Sequence, residues 1–168
     1  MSRVPIIVDY REQKPYKFPG EESRTEKLNV GDYTLEGFRD KFAVERKTLN
    51  DLATSVGTDR LRFENEIRRA NGYANRNEDD NPIPGTAPNS ALDEFVVVIE
   101  ADKRDLYKYA GRSSCPNYYS NIHPNSLIGT LESWPDKYQN LDFIFAGSRN
   151  GGCQETLRKL DQWYLKHS

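Results

Sequence analysis

Asp32, Glu45 and Lys47 are the residues of this sequence whose types and spacing can do chemistry. The stretch Phe42-Ala43-Val44-Glu45-Arg46-Lys47 begins as an apolar strand and ends in three charges, although unpaired charges are costly at the end of a buried strand. Strand side chains alternate faces, so Phe42, Val44 and Arg46 share one side while Ala43, Glu45 and Lys47 share the other. Glu45 and Lys47 then project together, roughly 6.6 Å apart along the strand. Arg46, facing the other way, either buttresses acidic groups there or reaches a phosphate around the sheet edge. Asp32 joins through a hairpin: 32–35 and 41–47 read as strands, with Glu36-Gly37-Phe38-Arg39-Asp40 as turn residues. If the numbers of paired residues add to an odd total, Asp32 lies on the Glu45 face; an even total puts it on the wrong one. A tight Gly37-Phe38 turn, Gly first as type II′ requires, gives the odd total and is the expected turn.

Two carboxylates and a lysine converging on one strand end make a specific chemical proposal. Hard oxygen ligands from Asp32 and Glu45 suit Mg²⁺ or Mn²⁺, which keep waters for phosphate oxygens and for a nucleophile. Such an ion lowers the pKa of bound water and neutralises charge developing on a phosphodiester. Lys47 either orients the water or stabilises the developing charge. Hydrolysis of a nucleic-acid backbone is the natural use.

The elements that must position these groups are legible in part. An apolar run over 4–8 ends in Asp9, with Glu12 in the following turn, and 13–23 reads as a loop. Thr48, three positions before Asp51, opens a helix through about 56 in capping-box fashion. A second helix spans 58–70 with Leu61, Phe63, Ile67 and Ala70 inward. The proline-bearing stretch 75–93 reads as a long mobile loop within the domain. Phe95 to Ile99 has the β-branched character of a central strand covered on both faces. Helices near 102–110, from 124 to about 134 and over 152–166, and a strand over 141–146, complete an α/β domain. Its mixed sheet, antiparallel at first and parallel later, is flanked by helices.

Composition limits the partners. The 168 residues fit one domain, and Lys plus Arg (24) against Asp plus Glu (26) leaves a formal charge of −2. Any polyanion must therefore be held locally, by a metal or with a partner's help. Cys115, Cys153, His123 and His167 share no metal-ligand spacing and form no disulfide framework. The longest apolar run is too short for a bilayer and the N-terminus lacks a signal-peptide layout, so an intracellular protein with no membrane partner is expected.

The residues also carry a family likeness. Gly31-Asp32, then Glu45-Arg46-Lys47 and Asp51, resemble the GD…ERKxxxD motif of the XPF/Mus/Hef family of structure-specific endonucleases, within the PD-(D/E)xK superfamily. Ile7-Val8-Asp9-Tyr10-Arg11-Glu12 resembles the family's opening strand with its acidic pair, and Leu28-Asn29-Val30-Gly31-Asp32-Tyr33 its second block. Asp59-Arg60-Leu61-Arg62-Phe63-Glu64 and Val98-Ile99-Glu100 resemble later blocks. The resemblance implies a restriction-endonuclease-like fold over 1–168 and a Mg²⁺- or Mn²⁺-dependent DNA endonuclease acting on branched or flapped DNA in repair or recombination. It implies Asp9, Glu12, Asp32, Glu45, Arg46, Lys47 and Asp51 as catalytic residues, with Asp32 and Glu45 holding the metal. The tandem helix-hairpin-helix module usual in the family is not expected, which points to a compact version that draws on a homodimer or a protein partner for further DNA contacts.

Several residues keep two readings. Asp51 either caps its helix or joins the chemistry. Arg60 and Arg62 are the DNA-contact candidates, although Glu64 and Glu66 among them suggest a solvated face. Glu100 ends a central strand, where it serves either a site or the next helix. Tyr118, Tyr119, Trp134, Trp163 and Tyr164 invite base stacking but suit core packing or an interface better. A non-catalytic DNA-junction scaffold of the same fold, and a Holliday-junction or RNA nuclease, are the competing functions.

Overall fold

The computed structural model describes residues 3–108 and 124–168. In chain order its elements are β1 (Ile6–Asp9), β2 (Ser23–Glu26), β3 (Tyr33–Leu35), β4 (Phe42–Lys47), α1 (Leu49–Val56), α2 (Arg60–Ala70), β5 (Glu94–Ile99), α3 (Lys103–Lys108), α4 (Pro124–Lys137), β6 (Leu141–Phe145) and α5 (Arg149–His167). The strands form one six-stranded sheet in the order β2-β1-β3-β4-β5-β6. β1 pairs antiparallel with β3, and β3 with β4, while β1–β2, β4–β5 and β5–β6 are parallel. A mixed sheet between helices is thus what the alternation of apolar runs and helical patterns implied.

Strand parity divides the interior into two cores. On one face Ala43, Val97 and Ile99 pack with Leu52, Ile67 and Leu127 of α1, α2 and α4. On the other Val8, Tyr33, Val44 and Val98 pack with Leu160 and Trp163 of α5. The charged end of β4 inherits this division: Glu45 and Lys47 continue the first face, Arg46 the second. Trp163 stacks on Phe42 with ring centroids 4.9 Å apart, and Trp134 is 3% exposed. Both tryptophans are therefore core residues. Tyr118, Tyr119, Cys115 and His123 lie outside the described residues.

Four sequence expectations change. The stretch 23–26 is a strand, β2, which runs along the sheet edge with polar, exposed residues and so carries no apolar alternation. The hairpin has the odd register, with Tyr33 opposite Val44, but not the tight Gly37-Phe38 turn. Two successive turns replace it, closed by Phe38 N–H to the Leu35 carbonyl (2.9 Å) and Lys41 N–H to the Phe38 carbonyl (3.0 Å). They let the Phe38 ring turn inward, edge-on to Trp163 at 6.0 Å. The stretch 75–93 is knitted down rather than loose. Asn65 of α2 accepts from Arg76 N–H (2.8 Å) and donates to its carbonyl (2.9 Å), and Thr86 Oγ1 accepts from Asn75 N–H (2.9 Å). Polar anchors of this kind leave no apolar pattern to read. Finally, α5 starts before its Gly-Gly pair, because Ser148 Oγ caps Gly151 N–H at 3.0 Å. Gly152 is required by packing: a Cβ there would lie 2.2 Å from the Tyr16 hydroxyl.

Candidate active site

Gly31 brings Asp32 to its place. It sits at φ +80, where a side chain is strained, and a Cβ there would lie 2.9 Å from Ala43 Cβ and 3.2 Å from the Val44 carbonyl. The chain can therefore approach β4 closely enough for Asp32 N–H to donate to the Val44 carbonyl (2.8 Å) and for Asp32 Oδ2 to accept from Arg46 N–H (2.8 Å). Gly31→Ala is expected to destabilise the fold by about 1–3 kcal/mol through left-handed strain alone. Urea denaturation that leaves the variant as stable as the parent would contradict this close approach.

Asp32 and Glu45 then meet side by side on one face of the sheet, and a third acid meets them from α2. Their carboxyls act on one another's protons in sequence, Glu66 on Glu45 and Glu45 on Asp32. Glu66 also accepts Gly31 N–H at 3.1 Å, which ties α2 to the turn ahead of β3. Lys47 Nζ lies 3.6 Å from Glu45 Oε2 and 4.7 Å from the centre of the Phe63 ring. These residues border a cleft of about 420 Å³ whose rim includes Arg11, Asp51, Arg62 and Arg69.

Burial and mutual repulsion govern the protons here. Burial, then the neighbouring charge of Asp32, pushes Glu45 up to about 8, against the pull of Lys47. Glu66 is pushed up to about 8 by burial and then by Glu45. Asp32 is pushed up to about 6, chiefly by burial, with its bonds to Glu45 and Arg46 N–H resisting. Burial works to lower the Lys47 pKa, but Glu45, Glu66, Asp32 and Asp51 outweigh it and the ammonium is held. All three carboxyls bind their protons more tightly folded than unfolded, so the stability they contribute is fully present below the ordinary carboxylate range and is lost as pH rises towards about 8. Melts of the metal-free protein from pH ~4.5 to ~8 are expected to fall steadily with pH. The lowered pKa values of Asp9 and Glu12 act below that window, so a rise across it would contradict proton sharing among the three acids.

The other candidates separate. Asp9 lies on the same face, one strand over, but its carboxylate is fully engaged: it accepts from Arg11 N–H (2.8 Å), Nε (2.9 Å) and Nη2 (2.9 Å), and from Leu28 N–H (2.8 Å). Glu12 accepts from Arg46 Nε (3.0 Å) and Nη2 (2.9 Å). Arg46 Nη1 donates to Glu100 (3.1 Å), which also accepts the Tyr16 hydroxyl and lies 3.6 Å from Arg149 Nη1. Arg46, Glu12 and Glu100 thus form a buried ionic network towards α5, while Asp9 and Glu12 line the same cleft as Asp32, Glu45 and Glu66. Asp51 N–H is capped by Thr48 Oγ1 (3.0 Å) while its carboxylate stands at the cleft rim. Arg62 is 86% exposed in its side chain and borders the cleft. Arg60 does not: it donates to Thr130 Oγ1 (3.0 Å) and lies 4.9 Å over Trp134, clamping α2 to α4. The sequence reading placed Glu66 on a solvated face; the signal available was its position three residues beyond buried Phe63, on the same helical side.

Hard carboxylate oxygens that repel one another are donors suited to a divalent cation. Among the described residues no group of three or more His, Cys, Asp or Glu is disposed around a metal-sized centre. Asp32 and Glu45 are the pair whose hard oxygens would suit such an ion.

This sheet, with paired acids where two antiparallel strands meet and a lysine beside them, defines a restriction-endonuclease-like α/β domain. The model of the ERCC4 domain matches residues 8–154, and the chain belongs to that family. Among solved structures it is similar to XPF from Aeropyrum pernix, with a TM-score of 0.58 and 19% identity over 94% of this chain and 65% of that one. It is likewise similar to the same protein in complex with DNA, with a TM-score of 0.58 and 22% identity over 96% of this chain and 66% of that one. The chain spans slightly less than two thirds of these proteins, and at such identities the likeness is one of fold. No curated protein matches the sequence.

Proposed function

We propose that this chain is a divalent-metal-dependent endonuclease that hydrolyses DNA phosphodiester bonds. The observation that carries the reading is the juxtaposition of Asp32 and Glu45 on one sheet face, with Lys47 beside them, in a cleft rimmed by arginines. Membership of the ERCC4 family and the fold shared with a DNA-bound XPF support it. Asp32 and Glu45 would hold Mg²⁺ or Mn²⁺, and Glu66 orients Glu45. The ion, when bound, activates water and offsets negative charge on the phosphate. Lys47, kept as an ammonium, donates to the attacking water or to a phosphate oxygen and does not serve as a base. Arg11, Arg62 and Arg69 grip the backbone on either side. Asp9, through Arg11 and Leu28, shapes the rim; Glu12 and Arg46 brace the strand ends from below; Asp51 anchors α1 at the cleft edge.

Branched or flapped DNA is the substrate, in keeping with the family resemblance, and an intracellular place on DNA follows from it. With a net charge of −2, binding is modest and salt-sensitive unless a second copy or a partner protein extends the contact. The test incubates the protein with Mg²⁺ or Mn²⁺ and labelled flap, fork, four-way junction, duplex and single-stranded DNA, and structured RNA. Metal-dependent cutting of branched DNA is expected. Binding without cutting would favour a scaffold, and preference for RNA or four-way junctions would replace the substrate assigned here.

A further inference from the structure

A second depression, of about 370 Å³, opens beside the cleft between the β2–β3 connection and the segment that leads into β5. Asn29 and Arg69 line both. The two are therefore consecutive stations along one surface. Arg69 is held at the boundary, with Nη1 donating to Asn75 Oδ1 (3.1 Å) and Nη2 to the Asn29 carbonyl (3.4 Å). A guanidinium has five N–H donors, so these two bonds orient the group and leave donors to spare.

The walls of the second depression are suited to a backbone and not to chemistry. Lys27, Asn29, Asn89 and Ser90 present donors, while Leu28, Val30 and Leu92 form a buried apolar floor. Asp40 is the opposing acid, and the charge of Arg39 is offset by Glu26 through bonds of 2.6 and 2.8 Å. Donor-rich walls over an apolar floor match a sugar-phosphate chain, whose phosphates accept hydrogen bonds and whose sugars and bases pack.

We propose that this depression carries the DNA strand onward from the scissile phosphate, with Arg69 gripping the phosphate at the boundary and Lys27, Asn89 and Ser90 those that follow. This rests on the nuclease reading. It assigns the path of the strand on one side of the cut, which neither the fold nor the acidic cleft specifies.

The test measures binding of fluorescently labelled single-stranded and flap DNA by the full chain in EDTA, over a series of salt concentrations. Lys27→Glu and Lys27→Glu/Asn89→Asp are compared with Lys17→Glu, which on the α5 side makes the same charge change as the single variant. The Lys27 variants are expected to weaken binding several-fold and to flatten the salt slope by about 0.7 for each single-strand phosphate that is no longer neutralised. Mn²⁺ affinity and melting temperature should stay at parental values. An equal weakening in Lys17→Glu would overturn the path, since net charge alone would then account for it. So would unchanged affinity and slope in the Lys27 variants of a parent that binds DNA. A parent that binds no DNA in any arm would instead remove the nuclease reading on which the path rests.

Discussion

Glu45→Gln is expected to abolish metal-dependent cleavage and, at the same time, to make the metal-free protein more stable at alkaline pH. The two effects have one cause. Glu45 is buried at 7% exposure between Asp32 and Glu66, and it keeps its proton until about pH 8 because ionising it would set like charges side by side. Glutamine reproduces the protonated pattern: its amide N–H donates to Asp32 and its oxygen accepts from Glu66. The fall in stability towards pH ~8 should therefore flatten in the variant. The neutral amide is a poor ligand for a hard cation, so the stabilisation by Mn²⁺ that the proposed function requires of the parent should be absent from the variant. Loss of so well-placed a charge is expected to slow cleavage by at least roughly 10²-fold. Thermal melts with and without Mn²⁺, together with single-turnover cleavage, read both effects. Cleavage at the parental rate would mean that the acids are structural and that the reacting centre lies elsewhere.

The sequence made the core of this site legible because strand parity is a strict rule. Phe42 and Val44 fall into one hydrophobic cluster and Ala43 into the other, so the sides taken by Glu45 and Arg46 follow without any tertiary information. The odd hairpin register is the one observed, although the Gly37-Phe38 turn from which it was expected is not. Phe38 leaves the loop to pack on Trp163, a partner far along the chain that no local pattern reveals. β2 was invisible because the residues of Ser23–Glu26 are polar and the strand exists by backbone pairing to β1. Glu66 is the instructive failure. On a helix rich in charge, the periodicity gives the buried stripe of Phe63, Ile67 and Ala70 but cannot say which flanking acid meets a strand end and which meets water. Glu64 and Glu66 look alike in sequence. In the fold Glu64 accepts from Lys137 Nζ (2.8 Å) on α4, while Glu66 meets Glu45. Asp9 and Glu12 line the same cleft, but that their oxygens are taken up by Arg11 and Arg46 cannot be read from sequence spacing.

Those arginines lead to the second large effect. Arg46→Met is expected to destabilise the fold by about 3–5 kcal/mol at neutral pH, the usual consequence of removing one member of a buried ionic network. The Arg46 side chain is 9% exposed and those of Glu12 and Glu100 are 6% exposed, so removing the guanidinium leaves two largely buried carboxylates without their main partner. Glu100 keeps the Tyr16 hydroxyl, and Glu12 keeps a 3.2 Å bond from Lys14 N–H, but neither contact replaces a buried charge. The pH dependence separates this from a simple packing loss. In the parent, burial raises the Glu12 pKa but the bonds from Arg46 outweigh it, so Glu12 titrates below its ordinary value. Its contribution is present above the ordinary carboxylate range and disappears as pH falls through the lowered value. Without Arg46, burial dominates, the Glu12 pKa rises, and the variant loses stability as pH rises. The gap between parent and variant should thus widen from acid to neutral pH. Arg46→Lys retains a charge but not the fork that spans Glu12 and Glu100, so it should fall between the two. Urea denaturation of all three proteins at acid and neutral pH measures the gap. A difference below about 1 kcal/mol, or one that ignores pH, would show that these buried ions contribute little beyond their packing.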